Sequence, residues 1–411
     1  MKKTAAFILS LALLLGACSL TPPEETGPEA DPPEPPAADA NDYTNKYSYV
    51  TNVSFSETDL IYFGKQHNDK YILYSDKETG LYGVLCGKPD CTHDGKACNA
   101  YTGHTDGLEY YKGRFYWLSY SKGKRYMYSM AEDGTDRKTV KTVGDSNGKG
   151  IVDIFCFRDS MFALIQENKV SDGVPRTHLS FYKTSLTGDD GFTLMGDIIP
   201  EGGVLSAYRL YLQEGKICFA DTFRDPESGA NLFRAYTFDT ETGEIALAGE
   251  AVTSGRVYEF YAESPGVWYY PSAAEGGVPA VYRMENGVSE KAFELADPEE
   301  RWYISQLGSG VCMARSQETR DFRVWLLDME GNTLYKGDLP MSHRADLPEP
   351  HYLFGAYLLG GDTKSVVFKE LEVLNGVRAD YYVRYDFTPQ GLEEHLLMVR
   401  DPDPSYLGPQ G

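Results

Sequence analysis

Tyr110-Tyr-Lys-Gly113-Arg-Phe-Tyr-Trp117, followed by Tyr126-Met-Tyr128 running into Asp133-Gly134, packs two hairpins into one short stretch of chain. Aromatic residues flank a Lys-Gly turn in the first, and an Asp-Gly turn closes the second. Such runs favour paired strands, and Gly supplies the backbone conformation that a tight turn demands. Two hairpins in succession make one four-stranded antiparallel sheet.

The second hairpin recurs along the chain. It appears as Tyr71-Ile-Leu-Tyr74 before Gly80, Phe181-Tyr182 before Gly188 and Tyr236-Thr-Phe238 before Gly243. Further copies are Val281-Tyr282 before Gly287, Val324-Trp-Leu-Leu327 before Gly331, and Tyr381-Tyr-Val383 before Gly391. An upstream hairpin accompanies most of them, as in Leu212-Gln-Glu-Gly215-Lys-Ile-Cys218 and Gly308-Ser-Gly310-Val-Cys312. Successive turn glycines lie 44 to 60 residues apart. That period suits the blades of a β-propeller, in which each sheet buries its faces against its neighbours. The expectation is an all-β protein of seven four-stranded blades, with six or eight as fallback. A pair of β-sandwiches would not repeat so evenly. The pattern is similar to that of degenerate propellers without a WD or kelch signature. Composition agrees: 31 Tyr, 19 Phe and 41 Gly favour strands and turns, and no stretch carries a sustained helical period. Two ring closures are open. The segment from Tyr47 to Ser54 either begins the first blade or completes the last.

Outward from the repeats, the amino terminus has a different character. Lys2 and Lys3 precede an apolar run from Phe7 to Leu15, too short to span a bilayer, and Leu15-Gly16-Ala17-Cys18 follows. The last four residues resemble the lipobox of bacterial lipoproteins. That resemblance implies cleavage after residue 17, lipid on Cys18, and a protein exported and held at the outer side of the cell membrane. Ser19 to Asp42 contains seven prolines and seven acidic residues with no Lys or Arg, the composition of a solvated tether. The expected organisation is therefore signal peptide 1–17, lipidated tether 18–44, propeller 45–400 and tail 401–411.

Cys86-Gly-Lys-Pro-Asp-Cys91-Thr-His93-Asp-Gly-Lys-Ala-Cys98 places three cysteines and a histidine between the first two repeats. Cys86, Cys91, His93 and Cys98 supply the sulfur and nitrogen donors of a tetrahedral structural zinc. An exported protein can also staple such a loop with a disulfide, which leaves one cysteine over, or carry the three as free thiols. Cys156, Cys218 and Cys312 lie in apolar strands and read as buried small hydrophobes. The Cys-x-Lys-Pro-x-Cys-x-His pattern resembles one in lipoproteins of Gram-positive anaerobes. The likeness covers the signal peptide, this motif and the aromatic repeats, and implies no particular activity.

No catalytic residue is assigned. Gly144-Asp-Ser146-Asn-Gly148 has the letters of a nucleophile elbow, but a strand and not a helix is expected after it. Acidic turns such as Asp239-Thr-Glu-Thr-Gly243 lack the spaced ligands of a calcium loop. A net charge of −22 disfavours nucleic acid as a partner. Two classes remain. One is a non-enzymatic binding or scaffold protein for a protein, peptide or glycan. The other is an extracytoplasmic enzyme, a glycan lyase or hydrolase with residues drawn from several blades.

Overall fold

Each of the seven turn glycines, from Gly80 to Gly391, has a positive φ and lies at the link between the third and fourth strands of a sheet. The computed structural model describes residues 53–400 apart from short stretches, among them 56–59, 65–70, 199–206, 318–321 and 346–350. Cys18, the tether and the 401–411 tail lie outside the described residues.

The described strands form seven four-stranded antiparallel sheets, each from four consecutive strands. The first holds β1 to β4 (Val53–Phe55, Leu60–Gly64, Ile72–Asp76, Tyr82–Val84) and the second β5 to β8 (Thr105–Tyr111, Arg114–Ser121, Lys124–Ala131, Lys138–Asp145). The third holds β9 to β12 (Lys149–Phe157, Ser160–Ser171, Val174–Ser185, Thr193–Ile198). The fourth holds β13 to β16 (Ala207–Gln213, Lys216–Arg224, Asn231–Asp239, Ile245–Thr253) and the fifth β17 to β20 (Val257–Glu263, Gly266–Pro271, Ala280–Glu285, Val288–Glu294). The sixth holds β21 to β24 (Trp302–Gly308, Val311–Ser316, Arg323–Asp328, Thr333–Asp338) and the seventh β25 to β28 (His351–Gly361, Ser365–Leu374, Val377–Thr388, Gly391–Arg400). Among the described residues the one helical element is a 3-10 turn at Ser342–Arg344.

Alternation along the strands explains why the sheets stack. In β26, Val366 and Phe368 join Val311, Met313 and Leu326 of the sixth sheet, while Val367 joins Leu73 of the first. Both faces of the sheet are thus buried, which a lone sheet could not achieve. Equivalent apolar clusters occupy every junction between successive sheets, and the one around Leu73, Leu359, Val367, Tyr382, Leu397 and Met398 joins the last to the first. Ser75 Oγ in β3 also donates to the Leu397 carbonyl in β28 at 2.8 Å. The fold is a β-propeller. Among the described residues β1 pairs with β2 and the last sheet runs from β25 to β28, so no described strand is exchanged between the first and last sheets.

First strands of successive sheets lie side by side around the axis. Polar side chains bind them to one another. The Tyr211 hydroxyl donates to the Phe260 carbonyl at 2.7 Å, and Glu259 accepts the Leu307 N–H at 2.9 Å. Gln306 accepts the Leu358 N–H at 2.6 Å and donates to its carbonyl at 3.0 Å. Register irregularities precede Tyr211, Glu259 and Gln306 in their strands. A bulge re-aims the following side chain, here across to the next strand.

Candidate metal centre

Leu85 is buried, and its N–H still bonds to the Ile72 carbonyl before the chain leaves the first sheet at Cys86. Three short turns then fold the loop. The Cys91 N–H reaches the Lys88 carbonyl at 3.3 Å, with Pro89 at the second position where its fixed φ suits a turn. Cys98 N–H bonds to Gly95 at 3.0 Å, and Tyr101 N–H to Cys98 at 3.2 Å. His93 stands between the first two turns at φ 55°, a left-handed backbone that a non-glycine residue adopts at some cost.

These turns bring the four sequence-selected residues together. One donor atom from each of Cys86, Cys91, His93 and Cys98 lies within 4.8 Å of every other. His93 Nδ1 is 3.4 Å from Cys98 Sγ. Tetrahedral zinc with ordinary Zn–S and Zn–N bonds places sulfur and nitrogen about 3.5 Å apart, so the spacing and the donor set both fit. Cys98 is fully buried, the other three are half-buried, and the three cysteines are free thiols. This Cys-His cluster could hold a metal ion.

Backbone amides support the sulfurs. At Cys86 burial opposes ionisation, but the N–H groups of Lys88 and Asn99 and the thiols of Cys91 and Cys98 outweigh it and bring the thiol below its usual range. At Cys98 burial dominates; Cys86 and Cys91 add to it, the Ala100 N–H only partly offsets it, and the thiol is pushed up to about 12. A free thiol at Cys98 therefore stays protonated, whereas a metal would displace its proton. N–H donors to ligand sulfur orient the ligand and are part of a metal site's outer shell.

The loop is wedged between two sheets. On one side Ile72 N–H bonds to Ala100 at 2.8 Å, and the Tyr71 and Tyr101 rings meet edge-on at 5.7 Å. On the other, Gly87 N–H and the Asn99 side chain both donate to the Gly134 carbonyl, at 3.0 and 2.8 Å. The approach is close: a Cβ on Gly134 would fall 2.7 Å from Gly87 N and 2.9 Å from Cys86 N. Arg137, just past this turn, donates to the Lys96 carbonyl at 3.3 Å. Its guanidinium lies over Tyr128 at 5.2 Å and Trp117 at 5.9 Å, whose rings stack on each other. Trp117, Tyr128 and Cys98 share one core cluster. The sequence pointed to the four clustered residues and the turn glycine at 134, and it gave no sign of Arg137.

It also missed a buried charged cluster at the junction of the sixth and seventh sheets. His343 Nδ1 lies 2.9 Å from Glu394 Oε1, and Nε2 lies 3.3 Å from Glu370 Oε2. Burial disfavours the imidazolium, but the two carboxylates prevail and hold His343 up at about 9. Burial likewise opposes the Glu394 charge, and the donors of His343 and Ser342 overcome it, bringing Glu394 to about 2. The Tyr385 hydroxyl donates to Glu370 at 2.7 Å. Each carboxylate is engaged by its neighbours, so the cluster works as an internal clip. The remaining residues fall as expected: Cys156, Cys218 and Cys312 are buried, and the turn at Asp239 closes a hairpin through its carboxylate. Ile151 to Phe157 lies in strand β9, and residues 146–148 of the elbow-like segment lie outside the described residues.

No family model matches the chain, and no curated protein matches it. Solved structures with a similar fold include an acylaminoacyl peptidase, 12% identical over 87% of this chain and 52% of that one, with a TM-score of 0.47. The chain thus spans about half the length of that peptidase. The β-propeller domain of the Trilobed protease from Pyrococcus furiosus is 9% identical over 87% and 97%, with a TM-score of 0.45. An oligogalacturonate lyase in complex with manganese is 12% identical over 70% and 74%, with a TM-score of 0.42. Likenesses this distant carry no activity across, and the fold stands on the sheet order itself.

Proposed function

We propose that this is an exported lipoprotein, anchored through Cys18 to the outer side of the cell membrane, whose propeller binds or scaffolds a protein, peptide or glycan. Each four-stranded sheet is read as one blade of a seven-bladed ring. Cys86, Cys91, His93 and Cys98 hold a structural zinc that fixes the loop between the first two blades. The convergence of those four donors carries the zinc reading. Zinc in such a site contributes folding energy and needs no open position for substrate.

The binding role draws support from the inner strands. Tyr211, Glu259 and Gln306 bond to backbone of the neighbouring first strand, which ties the fourth to seventh sheets together along the inner strands. The competing expectation, a glycan lyase or hydrolase, requires acid and base groups held ready for substrate. The test uses purified protein with defined peptides and acidic and neutral oligosaccharides, with calorimetry for binding and mass spectrometry for turnover. Saturable binding with every probe recovered intact is expected. Shortened or unsaturated oligosaccharide, or cleaved peptide, would contradict the non-enzymatic reading.

A further inference from the structure

All four donors come from one loop, yet the loop's surroundings come from the next sheet. A zinc ion with three thiolates and one imidazole has a net charge of minus one. Cys98 is fully buried, and a negative charge left there without a counter-charge is costly. The next sheet brings one cation onto this loop, Arg137. Its guanidinium lies on the Trp117–Tyr128 stack, in the same cluster as Cys98, and its Nη1 donates to Lys96 within the loop. Arg137 Nε is buried and makes no hydrogen bond, an N–H without an acceptor. A half-buried guanidinium whose Nε–H is buried and unused is a fitting partner for an anionic metal centre.

Resting on the zinc reading above, we propose that Arg137 is the outer-shell cation of the metal centre and couples its affinity to the docking of the first two sheets. The ligands belong to the loop that leaves β4, whereas Arg137 belongs to the segment between β7 and β8. Metal therefore binds tightly only when loop and second sheet are in place. By reciprocity, bound metal holds them together. Arg137 is a positioning residue: it touches the loop and the charge of the site, not the ion.

The experiment measures zinc affinity of the full chain by competition with a chromophoric chelator, for wild type, Arg137→Met and Arg137→Lys. Arg137→Met keeps the length and apolar contact but removes the charge, and it is expected to weaken zinc roughly 10- to 100-fold. Arg137→Lys keeps the charge and loses the planar stack, and it should recover most of the affinity. A purely structural role would give the reverse order, since Met packs on the aromatic pair better than a hydrated ammonium. Circular dichroism confirms that each variant is folded. If Arg137→Met does not fold, Arg137→Lys against Arg137→Gln carries the same comparison. Equal zinc affinity in the charged and neutral variants overturns the proposal while leaving the zinc centre standing. Wild-type protein that binds no zinc removes both.

Discussion

Replacing His343 with Ala should remove the cation from between two buried carboxylates. The His343 side chain is 3% exposed and that of Glu370 is fully buried. Glu394 would keep the Ser342 N–H at 2.6 Å, the Ser342 hydroxyl at 2.9 Å and the N–H of residue 343 at 2.9 Å. Glu370 would keep the Tyr385 hydroxyl at 2.7 Å but lose its positive neighbour. A histidine held at about 9, against 6.5 ordinarily, corresponds to about 3 kcal/mol of preference for the charged form in the folded state. Removing one partner of a buried pair costs a similar amount, about 3–5 kcal/mol. A loss of about 3 kcal/mol at pH 6 is therefore expected. The sign of the pH dependence follows from the raised value. The contribution is full below about 6.5 and is lost as pH rises through about 9. Guanidinium unfolding followed by tryptophan fluorescence, repeated from pH 6 to pH 10, reads both. A difference below about 1 kcal/mol at pH 6, or one that does not shrink by pH 10, would refute the clip.

Gln306→Leu should strip the Leu358 N–H and carbonyl of their partners at a buried site. At about 1–3 kcal/mol for each orphaned group, a loss of at least about 2 kcal/mol is expected by denaturant unfolding. A neutral result would mean that the belt of inner-strand bonds does not help hold the ring. Cys18→Ala should abolish labelling by a radioactive fatty acid and move the protein from the membrane fraction to the soluble one. Label that persists in the variant would remove the lipid anchor from the account.

Much of the fold was legible because each repeat carries local turn chemistry. Gly80, Gly134 and Gly188 mark links that need positive φ, and aromatic runs such as Phe115 to Trp117 mark the strands beside them. The Cys-His cluster was legible because all four residues sit in one loop, so their sequence spacing reports their spatial nearness. Arg137 was not, since its contact with the loop at Lys96 depends on how the β7–β8 segment docks there, and no local rule encodes that docking. The His343 clip draws on a turn, β26 and β28, which only the folded sheet brings together. One trace existed: Glu370 and Glu372 occupy the same alternating positions as Val366 and Phe368, where buried apolar residues belong. The inner-strand bonds were hidden for a related reason. Register irregularities before Tyr211, Glu259 and Gln306 shift the alternation by which a strand is read.

The most direct test of the account is the metal content of the full chain, purified without chelator or reductant, by elemental analysis. The donor set of Cys86, Cys91, His93 and Cys98 predicts about one zinc per chain, lost on His93→Ala, with the three loop thiols shielded from alkylation until the metal is removed. Protein that contains no metal, whose three loop thiols alkylate freely or whose thiol count rises by two on reduction, would contradict it.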